Sequence, residues 1–271
     1  MSFRIGFADE TENENFTEEA FAEQTKRILP KKSVVQVYFA ERNMTLAYYN
    51  DRFDLHRGDL VFVDGKLEGL RGFVTDVNYN FRIRLADYKR VIAVADTDVH
   101  GQFFSAGSHF VTFDRDALSP QKIVTWFKAP AKEEDVFASG SDDSAFLLDN
   151  LKEQPIDSAV AERGYDYYSS DKVVYIGMDT NKGYAIVEGQ TAYEVDFEYK
   201  NGEISHLICS CFCSNHCKHE FAAMLQLKDV LKYIEKNYAA EYERSGCFAA
   251  IKKSTLIAFA VEMKEKGSFT L

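Results

Sequence analysis

The side chains best suited to chemistry are crowded into one stretch of eleven residues, CSCFCSNHCKH, which runs from Cys209 to His219. It contains four of the five cysteines and two of the six histidines of the chain. Thiolate and imidazole are ligands that Zn²⁺ prefers, and a structural zinc site holds four of them in a closed tetrahedron. In a reducing compartment, clustered cysteines are more typical of metal sites than of disulfides. The stretch therefore predicts a metal site.

The stretch offers six donors for four positions. The favoured set consists of Cys209, Cys211, Cys217 and His219. These form a Cys-x-Cys pair and a Cys-x-His pair separated by a short turn, and three thiolates with one imidazole suit a structural Zn²⁺. Cys213 and His216 are alternative ligands, although a set that begins at Cys211 and Cys213 leaves a cramped turn before Cys217. The alternative without metal is a group of buried free cysteines or a redox patch.

Two elements are expected to position these donors. An Asn-Gly pair at 201–202 lies between two apolar runs and predicts a hairpin that joins TAYEVDFEYK to EISHLICSC, so that Cys209 and Cys211 come at the end of a strand. After His219, the sequence EFAAMLQLKDVLKYIEKNY has the periodicity of an amphipathic helix. Upstream, DSAVAERGYDYYSSD predicts a helix that is capped by Asp157 or Ser158 and ends at Gly164.

The chain as a whole predicts an α+β protein with two domains. Residues 1–32 are a charged leader, with a helix expected in TEEAFAEQTKRIL. Residues 33–130 contain short β-branched runs separated by turn glycines, followed by SPQKIVTWF, and predict an all-β barrel-like domain with a short helix. Residues 131–155 are acidic and predict a linker in which AFLLDNL forms a helical turn. Residues 156–271 then form a β-hairpin and helix zinc-finger domain with a C-terminal extension.

The segment CSCFCSNHCKHEFAAML resembles a SWIM-type zinc finger, whose pattern is Cys-x-Cys, a variable spacer and then Cys-x-His. The upstream runs RGYDYYSSDKVVYIG, GYAIVEGQTAYEVDF and NGEI resemble the β-rich segment that precedes this finger in bacterial members. The resemblance covers residues 156–235 and implies the ligands Cys209, Cys211, Cys217 and His219. It departs from the family in its short spacer and in the extra Cys213. Family members occur in chromatin-remodeller ATPases, transposases and plant transcription regulators, and are thought to bind DNA or proteins.

Charge gives a mixed indication about nucleic acid. The net charge of −11 is unlike that of a general phosphate binder. However, GDLVFVDGKLEGLRGFVTDVN resembles the KOW-type element of SH3-like barrels, which often contacts RNA or ribosomal proteins. Arg82 and Arg84 alternate with apolar residues, so both are expected on one solvent face of a strand, where they could bind single-stranded nucleic acid or simply be solvated. The candidate contact residues are Arg71, Arg82, Arg84, Lys89, Arg90, Lys252 and Lys253.

The remaining sequence patterns concern membrane spans, targeting signals and catalytic motifs, and they reduce the number of possible functions. No apolar run is long enough to span a membrane, and the polar N-terminus is unlike a signal peptide, so a cytoplasmic protein is expected. No P-loop ATPase, serine-hydrolase, zinc-metalloprotease or dinucleotide-binding motif is present, which predicts a protein that is not an enzyme and has no small-molecule substrate. The leading hypothesis is a zinc-binding module that binds nucleic acid, with DNA as the first expectation. The alternative is a protein-interaction adaptor for a helicase-like ATPase or another partner.

Overall fold

The computed structural model describes residues 4–5, 32–130, 145–213, 216–262 and 269–270. The strands are β1 (Arg4–Ile5), β2 (Ser33–Phe39), β3 (Met44–Asn50), β4 (Leu60–Val63), β5 (Gly72–Asn78), β6 (Val91–Val94), β7 (Phe104–Ala106), β8 (His109–Thr112), β9 (Phe146–Leu147), β10 (Val173–Asp179), β11 (Lys182–Glu188), β12 (Ala192–Lys200), β13 (Glu203–Cys209), β14 (Cys247–Lys252) and β15 (Phe269–Thr270). The helix predicted in the leader and most of the predicted acidic linker lie outside the described residues.

The helices complete a mixed α+β structure, as predicted. They are α1 (Pro120–Val124), α2 (Ser158–Ser169), α3 (Lys218–Asn237), α4 (Ala239–Ser245) and α5 (Lys253–Ile257). Short 3₁₀ turns occur at Ala40–Arg42, Leu85–Asp87 and Leu148–Glu153, and a π-helical turn occurs at Ala258–Glu262. The turn at Leu148–Glu153 includes most of the segment for which the sequence predicted a helical turn. None of the helices in the described ranges is long and apolar enough to cross a membrane.

The N-terminal sheet has five antiparallel strands in the order β3-β2-β5-β4-β6. A parallel bridge connects Tyr49 of the outer strand β3 to Arg90, the residue that precedes the other outer strand β6, and the Tyr49 amide donates to the carbonyl oxygen of Lys89 at 2.9 Å. Its strands approach closely at Gly72, where a Cβ atom would lie 2.3 Å from Val37 Cγ1. Glycine is therefore required there, because any larger side chain would displace a buried neighbour.

The strand predicted around Arg82 and Arg84 is wrong. After β5 the chain turns, with the Asn80 amide donating to Asn78 Oδ1 at 2.8 Å, and then passes through the 3₁₀ turn Leu85–Asp87. An asparagine side chain that bonds to the backbone two residues later favours a turn over a continued strand. Both arginines are exposed, but on an irregular segment rather than on a strand.

The larger sheet has eight strands in the order β7-β8-β14-β10-β11-β12-β13-β9. All its paired neighbours run antiparallel. β8 pairs with β14 in the register that places Val111 opposite Ala250, and β14 in turn pairs with β10. The sheet therefore takes strands from both sides of the predicted boundary near residues 131–155. The predicted division into domains itself stays a prediction.

Helices α2 and α3 cover one face of the larger sheet and bury Phe221, Leu227 and Val230 against it. Helix α2 begins at the predicted cap, where Asp157 Oδ1 accepts from the Ala159 amide at 2.9 Å. The predicted end at Gly164 is wrong, since the helix continues to Ser169. Gly164 lies instead where the two helices cross, and a Cβ atom there would be 2.8 Å from Phe221 Cδ1. Its role is close packing and not termination.

The opposite face of the larger sheet packs against the N-terminal sheet. The shared core includes Trp126, Leu118 and Phe259, with Leu60 from β4. Trp126 is fully buried, and its indole N–H donates to the carbonyl oxygen of Asp96 at 2.7 Å. The two sheets are therefore joined by a continuous apolar core. The C-terminal segment, which the sequence left without a clear assignment, supplies α4, the sheet strand β14 and α5.

Candidate metal centre

The first two donors are positioned by the predicted hairpin, which the structure confirms. Lys200 pairs with Glu203 across the turn, and Asn201 and Gly202 adopt positive φ angles of 53° and 86°. Two successive positive φ angles are the geometry of a type I′ turn, which matches the twist of the strands on either side. Strand β13 then ends at Cys209, and Cys211 follows two residues later.

The other two donors are positioned by the start of helix α3, which the sequence also predicted. Cys217 is the N-cap residue, and its Sγ accepts from the Glu220 amide at 3.4 Å. The Cys217 amide donates to Glu220 Oε2 at 3.0 Å, which completes a capping box. Cysteine here occupies the place that serine or threonine usually fills. The cap fixes Cys217 and places His219 in the first helical turn.

The hairpin and the helix bring the donors of Cys209, Cys211, Cys217 and His219 within 4.8 Å of one another. His219 Nδ1 lies 3.7 Å from Cys209 Sγ and 3.8 Å from Cys217 Sγ. In a tetrahedral zinc site, bond lengths near 2.3 Å to sulfur and 2.0–2.1 Å to nitrogen separate the two donors by about 3.6 Å. The Cys3His group is therefore positioned to hold a metal ion.

Aromatic residues from two other elements orient the imidazole. The ring of Tyr193 stacks on His219 at 4.0 Å between centroids and 17° between planes, and Tyr167 meets it edge-on at 5.4 Å. His219 is only 3% exposed, and its Nε2 is buried without a hydrogen-bond partner in the described part of the chain. Nδ1 is the nitrogen that faces the thiols. The Lys218 ammonium lies 4.4 Å from the Tyr167 ring, on the rim of the site.

Burial determines the charge of the donors before any cation binds. Burial, and secondarily the charge of Lys218, lower the pKa of His219 to about 4, so its imidazole is neutral at neutral pH, the form that binds metals. Burial raises the pKa of Cys211 to about 11. A hydrogen bond with Cys209, and then burial, raise the pKa of Cys217. Crowded buried thiols resist ionisation, and a bound cation reverses this by stabilising the thiolates.

The two alternative ligands lie outside this group of four. Cys213 is exposed. His216 Nδ1 lies 3.4 Å from Glu220 Oε2, which directs its ring toward the capping carboxylate. The structure therefore gathers the favoured set of donors and leaves the alternatives at the edge. Phe212, between Cys211 and Cys213, is fully exposed.

Several of the predicted nucleic-acid contacts are engaged within the protein. Arg71 lies 3.7 Å from Glu41, and its guanidinium lies 5.6 Å from the centroid of the Phe259 ring. Arg90 pairs with Asp51 at 2.5 Å. Contacts of this kind hold the loops around the N-terminal sheet and reduce the freedom of both arginines to bind a ligand.

The remaining predicted contacts divide between two regions. Lys252 donates to the carbonyl oxygen of Asp171 at 3.0 Å, and Lys253 donates to Ser105 Oγ at 2.6 Å. Exposed side chains occur at Arg82, Arg84 and Lys89. The structure therefore leaves the segment from 82 to 89 as the most accessible of the predicted basic positions.

Sequence reasoning missed three contributors to the centre: Tyr167, Tyr193 and Glu220. Glu220 could have been found, because a capping box has a glutamate three residues after the cap, as in Cys217-x-x-Glu220. The two tyrosines could not, because they reach His219 from strand β12 and helix α2 through tertiary packing alone.

Comparison of the chain with protein-family models, with curated proteins and with solved structures finds no match. The geometry of the centre and the chemistry of its donors are therefore the basis for inferring function.

Proposed function

We propose that the Cys3His group holds a structural Zn²⁺ ion and that the chain is a non-catalytic binding module. The observation that carries this proposal is the convergence of the four donor atoms of Cys209, Cys211, Cys217 and His219 within 4.8 Å. Three thiolates and one imidazole are typical zinc ligands, and zinc has no redox chemistry that would endanger the thiols. Four protein ligands leave no position for a substrate, which favours a structural site over a catalytic one.

In this proposal the metal connects the end of the hairpin to the start of helix α3. Cys209 and Cys211 come from the hairpin side, and Cys217 and His219 come from the helix side. The free energy of metal binding contributes to folding, because the unfolded chain contains no preformed site. This order of Cys-x-Cys on a hairpin and Cys-x-His on a helix is consistent with membership in the SWIM-type zinc fingers, which we propose on that ground.

We further propose that the zinc-stabilised protein binds nucleic acid, with DNA as the first candidate. The resemblance to SWIM-type fingers supports this ligand, as does the KOW-like segment, which falls on strands β4 and β5. Exposed Arg82 and Arg84 lie close in sequence to Tyr79, which is 50% exposed. A guanidinium contacts phosphate, and an exposed aromatic ring stacks on an unpaired base.

A second candidate function, a protein-interaction adaptor, is favoured by an acidic cleft of about 940 Å³ on the larger sheet. Its acidic lining residues are Asp114, Asp116, Asp179, Glu194, Asp196 and Glu198. The basic lining residues are Arg115 and Lys182, so the cleft has a negative formal charge. Such a surface repels phosphate and suits a basic segment of a partner protein, for example an ATPase of the helicase type.

Titration of the zinc-loaded protein with labelled single- and double-stranded DNA and RNA, at two salt concentrations, tests whether the protein binds nucleic acid. Affinity that falls as salt rises is expected, because phosphate contacts release counterions. A double variant with Arg82→Ala and Arg84→Ala should bind more weakly. The matched control changes Arg42→Ala and Arg57→Ala, two other exposed arginines of the same sheet region.

Three outcomes separate the candidates. Binding that weakens only in the Arg82 and Arg84 variant supports the segment from 82 to 89 as the contact. Binding that is lost when the metal is chelated, but survives in that variant, moves the contact to the zinc centre. An absence of binding at low salt contradicts the nucleic-acid proposal and favours the adaptor.

A further inference from the structure

Two aromatic side chains near the metal centre are exposed to solvent. Phe212 directly follows the ligand Cys211 in sequence and is fully exposed, and Tyr165 of helix α2 is 57% exposed. Phenylalanine is among the residue types most often buried completely. A fully exposed phenylalanine beside a metal ligand is therefore unusual, and its ring is available to a partner.

Both rings belong to elements that contact the start of helix α3, where Lys218 lies. Phe212 and Lys218 each adjoin a residue of the Cys3His group in sequence, and the donor atoms of that group lie within 4.8 Å of one another. Tyr165 adjoins Gly164, where a Cβ atom would lie 3.0 Å from the backbone oxygen of Lys218. The two exposed rings and the lysine therefore surround the same corner of the molecule.

Lys218 supplies a positive charge that no direct ion pair neutralises. Its ammonium lies 4.4 Å from the centroid of the Tyr167 ring, and none of the ion pairs in the described ranges involves it. The neighbouring Glu220 is buried, and its carboxylate accepts from the Cys217 amide. The ammonium is therefore available to an anionic group such as a phosphate.

The charges beside the rings indicate which form of nucleic acid this surface fits. Arg163 and Lys218 are balanced by the exposed Glu162 and Asp166, so the surface has no basic excess that would attract a duplex in general. Stacking of a base on an exposed ring needs no such excess, but the base must be unpaired. The surface therefore favours single-stranded nucleic acid.

We propose that Phe212 and Tyr165 stack on unpaired bases of single-stranded nucleic acid, and that Lys218 contacts a phosphate of the same strand. Aromatic rings beside a cation are the usual means by which proteins bind single strands. This inference rests on the proposed binding of nucleic acid. It adds a contact at the metal centre, specific for unpaired bases, to the contact proposed at Arg82 and Arg84.

Fluorescence-anisotropy titration of the zinc-loaded full-length protein with a labelled oligothymidine of about 15 nucleotides tests this proposal. An abasic oligonucleotide of the same length keeps the phosphates but has no bases, and a hairpin duplex has bases that are already paired. A parallel titration with oligouridine distinguishes a DNA ligand from an RNA ligand.

The test variants are Phe212→Ala, Tyr165→Ala and Lys218→Gln, and Phe212→Trp keeps a ring that can stack. The control is Leu147→Ala, which removes another exposed apolar side chain of the larger sheet, on strand β9. The zinc content and the thermal unfolding midpoint show whether each variant retains the centre and the fold.

Phe212→Ala and Tyr165→Ala should each weaken the binding of oligothymidine by about fivefold or more, and should leave the affinity for the abasic oligonucleotide and the duplex unchanged. Phe212→Trp and Leu147→Ala should bind as the parent chain does. Lys218→Gln should instead reduce the slope of log affinity against log salt concentration by about 0.7, the value for one phosphate contact on a single strand.

The inference is overturned if the parent chain binds oligothymidine and folded Phe212→Ala and Tyr165→Ala bind it equally tightly, although the proposed function would then stand. Equal losses on the abasic oligonucleotide would also overturn it, because the rings would not be contacting bases. If the parent chain binds none of the oligonucleotides, the proposed nucleic-acid function fails, and this inference fails with it. If Phe212→Ala loses zinc, Tyr165→Ala serves as the test, since helix α2 contributes no metal ligand.

Discussion

At the scale of single residues, the metal centre brings together groups that are unfavourable neighbours without a cation. Burial keeps His219 neutral and raises the pKa of Cys211 to about 11. A divalent ion would change this balance, since each thiolate gains a direct bond to the positive charge. The same residues therefore differ in protonation between the metal-free and the metal-bound chain, and protons are released when the metal binds.

Replacement of Cys217 should remove the metal, whereas replacement of Cys213 should not. Cys217 is 2% exposed and contributes a thiol to the group of four, while Cys213 is exposed and lies outside it. We expect Cys213→Ala to retain about one zinc per chain and Cys217→Ala to retain almost none. Elemental analysis of the purified variants measures this. If Cys213→Ala loses zinc and Cys209→Ala keeps it, the ligand set is wrong.

His109 should make the stability of the protein depend on pH. Burial is the largest cause of its lowered pKa, so the unfolded chain takes up a proton at a higher pH than the folded chain. Stability from this residue is therefore fully present above the unfolded pKa of about 6.5 and falls as pH decreases below it. The slope for one proton is at most about 1.4 kcal/mol per pH unit.

Urea unfolding of the parent chain and of His109→Gln, compared between pH 7.5 and pH 5, measures this effect. The parent chain should lose more stability than the variant as pH falls, because glutamine does not titrate. An equal loss in both chains would show that other groups cause the pH dependence.

At the scale of elements, the centre depends on a hairpin and a helix that the sequence predicts well. The Asn-Gly turn at 201–202 and the periodicity of Lys218–Asn237 are local signals, so neither needs knowledge of distant contacts. Helix α2 shows the limit of such signals. Its glycine at position 164 has the local character of a helix end, but packing against Phe221 makes it an interior residue. A tertiary contact here overrides a local preference.

Gly164→Ala should destabilise the crossing of α2 and α3 despite the better helix propensity of alanine. Propensity alone favours alanine by about 1 kcal/mol. However, the new Cβ would lie 2.8 Å from Phe221 Cδ1 and 3.0 Å from the backbone oxygen of Lys218. Overpacking of this kind costs about 1–3 kcal/mol, so we expect a net decrease in the free energy of unfolding.

Thermal unfolding of the zinc-loaded protein measures this change, with Glu162→Ala on the exposed side of the same helix as the control. The control should change stability little. If Gly164→Ala is as stable as the control or more stable, the two helices do not cross as closely as described. Rescue of Gly164→Ala by Phe221→Leu would localise the clash to that ring.

At the scale of the whole molecule, the structure is hardest to predict from the sequence. Strand β14 lies between β8 and β10, although about 135 residues separate it from the first and about 70 from the second. Such pairings leave no local pattern, since their register depends on which faces the complete fold buries. The prediction of an α+β chain therefore succeeded, while the sharing of one sheet between the two halves could not be foreseen.

The shared sheet predicts that the two halves unfold together. Trp126, the single tryptophan, is fully buried in the core between the two sheets, whereas the Cys3His group lies beyond the opposite face of the larger sheet. In urea, tryptophan fluorescence and the release of zinc to a colorimetric indicator should follow one transition. Two separated transitions would show that the halves unfold independently. The strand pairing in the shared sheet would then be too weak to couple them.

X-ray absorption at the zinc edge of the metal-loaded protein tests the central claim most directly. We predict a four-coordinate spectrum with three sulfur neighbours at about 2.3 Å and one nitrogen neighbour at about 2.0 Å. That result corresponds to Cys209, Cys211 and Cys217 with His219. Four sulfur neighbours would show that Cys213 replaces the His219 imidazole as the fourth ligand. A six-coordinate spectrum dominated by oxygen would contradict a structural zinc centre in this chain.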